Sequence, residues 1–323
     1  MTFWSARLNL VLGVTLMSAA AWAAEAAPAP KPAAPVLPPA PEGVVIQQNL
    51  DYLDAGRAEK LDLYLPAARP EGTRSPAVVF IHGGGWRGGD KAERRAFNYG
   101  THLARAGYVM ISINYWMEAE DLWPKNLHDC KNAVRWLRVH ADRLGVDPER
   151  IGVAGGSAGG HLALMVAYTT DVDGLEPAAP YPGVSSRVSC VINLYGITNL
   201  LTRQKVDKTG QPTGVLNSSV LLRAWPRAEH EALWRLASPV WHVKAGTPPT
   251  LTLHGLSDAT VDYLQAKELA AKLDEHGVEN ELVLLEGIGH TFDLDTWGRK
   301  PLPPEVRTTV MGFLDRHLKP AQR

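Results

Sequence analysis

The stretch Ile151-Gly-Val-Ala-Gly-Gly-Ser-Ala-Gly-Gly-His161 constrains this chain more than any other. Ile151 to Ala154 is a short apolar run that reads as a buried strand, and Leu162 to Tyr168 reads as a helix. Between them stands Gly155-Gly-Ser-Ala-Gly159. A serine flanked by glycines at a strand-to-helix junction sits on a sharp turn that lifts its hydroxyl clear of the sheet. The glycines let neighbouring backbone approach without a Cβ clash. Ser157 then lies at the start of a helix, where free N–H groups and the helix dipole favour developing negative charge. Taken alone, the pattern is equally a glycine-rich turn without chemistry.

A second motif narrows the reading. Val78-Val-Phe-Ile81 is another apolar strand, and His82-Gly-Gly-Gly-Trp86 leaves its end. A glycine-rich loop of this kind upstream of a serine turn supplies backbone N–H donors to an oxyanion. With both motifs in this order, the chain resembles the α/β-hydrolase superfamily over about residues 45 to 320. Within it, the chain looks most like the bacterial group that includes feruloyl and acetyl-xylan esterases, with hormone-sensitive-lipase-like esterases as cousins. The resemblance implies Gly84, Gly85 and Ala158 as the oxyanion donors.

A serine hydroxyl needs an adjacent base to act as a nucleophile. In this superfamily the order along the chain is serine, acid, histidine. Of eleven histidines, His290 stands just past the last expected strand, in Gly287-Ile-Gly-His-Thr-Phe292. The acid is expected to leave the strand before it, and Asp258 in His254-Gly-Leu-Ser-Asp258 matches the family's H-G-x-x-D. Asp262 is the weaker candidate, because it is expected on the following helix. His82, His161 and His254 read as loop or structural residues. Trp86 follows the oxyanion loop and is the expected substrate contact. Trp116, Trp123, Trp225, Trp234, Trp241 and Trp297 are further candidates for an aromatic-walled cleft. One departure stands out: related esterases continue with D-Y-R-L where this chain has Trp116-Met117 after Asn114-Tyr115. Asp129 then needs another partner than that arginine.

Apolar strands alternating with helical patterns predict an α/β fold, a mostly parallel sheet with helices on both faces. Strands are expected at Val44 to Tyr52, Lys60 to Leu65, Val109 to Asn114, Val188 to Leu194, Pro249 to Leu253 and Glu281 to Leu285. Helices are expected at Ala92 to Ala106, Leu127 to Leu144, Val261 to His276 and Val306 to Leu318. Residues from about 196 to 241 lose clean periodicity and read as a small cap insertion. Arg203, Gln204, Lys205, Asp207, Lys208, Arg223 and Arg227 interrupt its leucines and tryptophans. A lipase lid would instead show an apolar helical stripe.

A formal net charge of −1 and the absence of basic blocks leave no nucleic-acid signature. No metal-ligand spacing or cofactor motif is present; Asp171-Val-Asp-Gly174 matches only the start of a calcium loop, with Pro182 where its bidentate acid belongs. No cofactor is therefore expected. Cys130 and Cys190 fall inside a helix and a strand pattern and read as buried thiols, although an exported chain could pair them. Residues 1–23 read as a signal peptide: Arg7, then apolar Leu8 to Met17, then Ala21-Trp-Ala23 as an A-x-A site. Residues 24–43 form an Ala/Pro-rich linker expected to be extended and uncored, and residues 44–320 the catalytic domain.

The leading expectation is thus a secreted or periplasmic serine carboxylic-ester hydrolase. Its partner would be a small-molecule or polysaccharide-borne ester, with no stable membrane insertion after signal cleavage. An amidase, peptidase or formamidase-like enzyme on the same fold, or a binding module without catalysis, stays open. The N-terminal reading has a direct check. Protein recovered from the envelope or medium should have the intact mass of a chain beginning at Ala24. A chain beginning at Met1 and held in the membrane fraction would contradict it.

Overall fold

The structure, a computed structural model, describes residues 35–223, 227–293 and 306–319. The signal peptide and most of the linker fall outside these residues, as do Trp225 and Trp297.

Eight strands form the main sheet: β1 (Val44–Leu50), β2 (Leu61–Pro66), β3 (Ser75–Ile81), β4 (Val109–Ile113), β5 (Val146–Gly156), β6 (Cys190–Leu194), β9 (Thr250–Gly255) and β10 (Asn280–Leu285). A two-stranded hairpin, β7 (Gln204–Val206) and β8 (Pro212–Val215), stands apart from it. The sheet order is β1-β2-β4-β3-β5-β6-β9-β10. β2 runs antiparallel to both β1 and β4, and all other neighbours are parallel. This is the α/β-hydrolase architecture that the resemblance implies.

Side chains alternate across the sheet, as pleating requires. On β3, Ala77, Val79 and Ile81 join one core cluster while Val78 and Phe80 join the other. The first cluster holds α2 (Leu122–Val139), α3 (Ala141–Leu144), α4 (Ala158–Tyr168) and residues of α6 (Leu264–Glu275). The second holds α1 (Arg94–Arg105) and α7 (Val306–Leu318). A central strand buried on both faces is mostly apolar, which is why β3 runs unbroken from Ala77 to Ile81 and β4 is apolar but for the buried Ser112. Each fully buried Val, Leu or Ile contributes about 1.5–3 kcal/mol relative to an exposed one.

Several expected boundaries move. The expected helix from Leu127 to Leu144 is α2 and α3, separated at His140. At the other end of α2, Trp123 is extended (φ −109°, ψ 133°), because the residue before a proline is pushed out of the helical region. The helix after the serine turn starts at Ala158, four residues before the expected Leu162. The last part of the linker is not uncored: Leu37 is buried in the second cluster. Cys130 on α2 and Cys190 on β6 are both buried, unpaired thiols. Burial raises both above the usual thiol range.

The region between β6 and β9 carries the hairpin, α5 (Glu231–Leu236) and two short 3-10 turns. It is no separate body: Leu200, Leu221 and Trp234 sit in the first core cluster.

Asp129 has found a different arginine. Arg57, on the loop between β1 and β2, places its guanidinium 2.6 Å from Asp129 Oδ2, and the Trp116 N–H donates to the same oxygen at 2.9 Å. Burial raises the Asp129 carboxyl, Arg57 pulls it part of the way back, and it lies at about 6. A carboxyl whose folded pKa exceeds its unfolded value of about 3.9 loses stability as pH rises through that window. Removing Arg57 deletes what holds the carboxyl down, so Arg57→Gln should cost about 1–3 kcal/mol once Asp129 is ionised. The fall in Tm caused by this substitution should be larger at pH 8 than at pH 5. An equal fall at both would contradict the pairing.

Candidate active site

β5 ends at Gly156 and α4 begins at Ala158, so the whole turn between strand and helix is Ser157. Its backbone has φ 57° and ψ −122°, a conformation L-residues avoid at a cost of about 1–3 kcal/mol. Two hydrogen bonds hold it there: the Ser157 N–H donates to Leu194 O at 2.9 Å, and the His161 N–H donates to Ser157 O at 3.0 Å. A Cβ at Gly159 would stand 2.1 Å from Ile81 O and 2.5 Å from His82 O. Glycine there lets the first turn of α4 lie against the end of β3. A Cβ at Gly83 would meet Gly156 O at 2.8 Å, so the glycine loop can pass directly beside the serine.

The structure brings the three expected side chains together. His290 Nε2 lies 3.1 Å from Ser157 Oγ, and His290 Nδ1 lies 2.6 Å from Asp258 Oδ2. With the Nδ1 proton donated to the carboxylate, Nε2 presents a lone pair to the serine hydroxyl. Asp258 is itself fixed: Oδ1 accepts the Thr260 and Val261 N–H groups at 2.8 and 3.0 Å. His254 Nε2 approaches Oδ2 at 3.3 Å and Val261 O at 3.0 Å. Burial alone would raise the Asp258 carboxyl, but the bonds from His254 and His290 outweigh it and hold the group well below the usual carboxylate range. Asp258 thus stays charged beside the imidazole.

Asp262 is not on a helix; α6 begins two residues later at Leu264. Its Oδ2 accepts the Gln204 N–H at 2.8 Å, which ties the hairpin to the acid loop. The hairpin turn also packs there, since a Cβ at Gly210 would lie 2.8 Å from Asp258 N.

The remaining histidines brace the site. Burial lowers His82 and His161 to about 4, so both are neutral. His82 donates from Nδ1 to Gly83 O at 2.7 Å and stacks on Tyr115 with centroids 4.5 Å apart. His161 donates from Nε2 to Ala237 O at 2.8 Å and accepts the Trp86 indole N–H on Nδ1 at 3.3 Å. One ring therefore joins α4, the glycine loop and the segment after α5.

Trp86 is 2% exposed and turned edge-on to His161. It braces the loop and is not among the residues lining the cleft beside Ser157. That cleft, of about 350 Å³, is lined by Gly83, Gly84, Gly85 and Gly89 of the loop, by Glu93 and Arg95, and by Ser157, Thr260, His290 and Thr291. Among the described residues no tryptophan lines it: Trp234 is core, Trp116 and Trp123 pack against the core, and Trp241 stands 47% exposed. Gly84 and Gly85 thus share the cleft with Ser157, and Ala158 opens α4 directly behind it.

Sequence reading missed a buried network behind the histidine. Tyr195, next after β6, donates its hydroxyl to Asp293, and the Arg95 guanidinium lies 3.0 Å from the other Asp293 oxygen, off hydrogen-bond alignment. The Tyr195 ring meets His290 edge-on at 4.6 Å. Burial would lower the Arg95 guanidinium, but Asp293, Tyr195 and Glu93 together raise it, so Arg95 stays charged. The sequence hint was Asp293, an acid three residues after His290.

The BD-FAE family model matches residues 61–273, more than half of the chain, which include β2 to β9, the Ser157 turn and the Asp258 loop. The chain belongs to the BD-FAE family. Among curated proteins it is similar to the probable carboxylic ester hydrolase LipM of Mycobacterium tuberculosis, 32% identical over 253 residues that cover 76% of this chain and 56% of that protein. The chain therefore spans little more than half the length of that relative. Among solved structures it is similar to Thermogutta terrifontis esterase 2 with butyrate bound, at 28% identity and TM-score 0.67, covering 87% of this chain and 97% of the other. A truncated carbohydrate esterase from gut microbiota shares the fold at TM-score 0.72 and 24% identity, over 85% of this chain and 97% of the other. The family match ends at residue 273, before His290, so that residue's place rests on the geometry above.

The two aspartates have separable consequences. An amide at 258 carries no charge and can turn its NH2 toward the imidazole, which favours the wrong tautomer, so Asp258→Asn should lower kcat on p-nitrophenyl acetate by about 10⁴. Asp262→Asn, which loosens the hairpin, should lower it less than about tenfold by the same comparison. Equal losses would mean that the acid is misassigned.

Proposed function

We propose that this chain is a serine carboxylic-ester hydrolase working through an acyl-enzyme. The observation that carries the reading is the hydrogen-bonded series Ser157 Oγ, His290 Nε2, His290 Nδ1 and Asp258 Oδ2, with the serine raised on a positive-φ turn. His290 takes the Ser157 proton as Oγ attacks the ester carbonyl. The N–H groups of Gly84, Gly85 and Ala158 receive the oxyanion, and Asp258 stabilises the imidazolium. The carbon–oxygen bond to the alcohol breaks, and the alcohol leaves with the proton from His290. Water, deprotonated by the same histidine, then releases the acid and restores the serine.

The substrate class proposed is short-chain or aromatic acyl esters of carbohydrates, met outside the cytoplasm after removal of residues 1–23. Support comes from the polar residues Glu93, Arg95, Thr260 and Thr291 among those that line the cleft, and from the mixed composition of the cap. The butyrate-bound neighbour and the carbohydrate-esterase neighbour fit the same direction. Among the described residues no helix is long and apolar enough to cross a membrane.

Ser157→Ala should lower kcat on p-nitrophenyl acetate by about 10⁴ or more while leaving Tm within a few degrees. On the wild type, kcat/KM should fall once the acyl chain exceeds about four carbons, the reverse of a long apolar pocket that gains about 0.8 kcal/mol per methylene. Retention of a tenth of the activity by Ser157→Ala would overturn the mechanism. A preference for emulsified long-chain triglyceride would overturn the substrate class.

A further inference from the structure

The cleft beside Ser157 contains a carboxylate for which the acyl transfer has no use. Glu93 lines that cleft together with Ser157 and His290. It occupies the position just before α1, yet its side chain makes no capping bond to the helix. Its Oε1 is shut off from solvent and has no hydrogen-bond partner among the described residues. Arg95 acts on Glu93 through its charge but makes its close contact with Asp293, at 3.0 Å. Burial raises the Glu93 carboxyl and Arg95 only partly offsets this. The other oxygen, Oε2, belongs to a half-buried side chain that lines the cleft and makes no hydrogen bond among the described residues, so it is the acceptor that a ligand hydroxyl can reach.

The surroundings say what that donor is. The loop facing Glu93 has no side chains at Gly83, Gly84, Gly85 and Gly89, which leaves room beside the serine, and Thr260 and Thr291 add hydroxyls to the same lining. A carboxylate is acceptor-only and bonds hydroxyl donors more strongly than a neutral acceptor does. We propose that Glu93 is a specificity residue, which accepts hydrogen bonds from hydroxyl groups on the alcohol side of the ester and so selects a sugar over an apolar alcohol of the same size. This rests on the ester-hydrolase reading and names the group that recognises its carbohydrate portion. Sites built to bond a hydroxyl reject the analogue that lacks it.

Two acetates of similar ring size separate the possibilities: a monoacetate of methyl β-xylopyranoside and cyclohexyl acetate. The wild type should prefer the xyloside. Glu93→Gln should lower kcat/KM on the xyloside about tenfold through KM, and Glu93→Ala by more, with kcat little changed. On cyclohexyl acetate both variants should stay within about twofold of wild type, which also shows that they fold and turn over. Equal losses on both esters, or no loss on either, would overturn the proposal while the esterase reading stands. A loss confined to acetylcholine would overturn it too, by making Glu93 a cation site. A wild type that hydrolyses none of these esters would overturn the esterase reading and this proposal together.

Discussion

Everything at this site depends on a turn that one residue makes against its own preference. Ser157 is held at positive φ because β3, β5 and α4 converge there with almost no side chain between them. The glycines at 83 and 159 are the condition for that convergence. With side chains there, Ile81 O, His82 O and Gly156 O would force the elements apart. The strain is local, and the stability that sustains it comes from the two-sided apolar core around β3 and β5. The elements that carry His290 and Asp258 leave the same edge of the sheet, since β9 and β10 are parallel to β5 and β6. Reach across that edge, rather than proximity in sequence, assembles the three residues.

Around this turn the polar groups divide the work. Neutral, buried His161 and His82 hold the glycine loop and the segment after α5 in place. Asp262 and the hairpin hold the acid loop. Asp293, Arg95 and Tyr195 back the histidine. None of these needs to exchange a proton with substrate. Their effect is to keep a 3.1 Å and a 2.6 Å contact in register, and positioning of that kind is worth more to catalysis than any one of the bonds.

The parts legible in the sequence are those set by the local chain. Apolar runs such as Val78 to Ile81 read as buried strands, and the glycines on either side of Ser157 mark a tight strand-to-helix turn. Ser157, Asp258 and His290 were readable because each follows a strand end in a fixed order. Side-chain direction was not readable. Trp86 looked like a substrate contact because it adjoins the oxyanion loop, but its indole N–H is drawn inward to His161. Asp262 looked helical because the helix was expected from Val261, but the acid loop continues to Tyr263 and α6 begins at Leu264. The replacement of a family arginine by Arg57 was invisible, since Arg57 and Asp129 are far apart in sequence and meet only through the sheet. Leu37 was hidden in the same way by its Pro-rich neighbours.

The central claim is that Ser157 is a nucleophile because His290 makes it one. Its most direct test is covalent: the full chain is treated with a fluorophosphonate, digested and mapped by mass spectrometry, alongside a His290→Ala variant. The account predicts a single adduct on the peptide containing Ser157 in the wild type, and loss of that adduct in the variant. An adduct on a different residue, or undiminished labelling of Ser157 without His290, would contradict it.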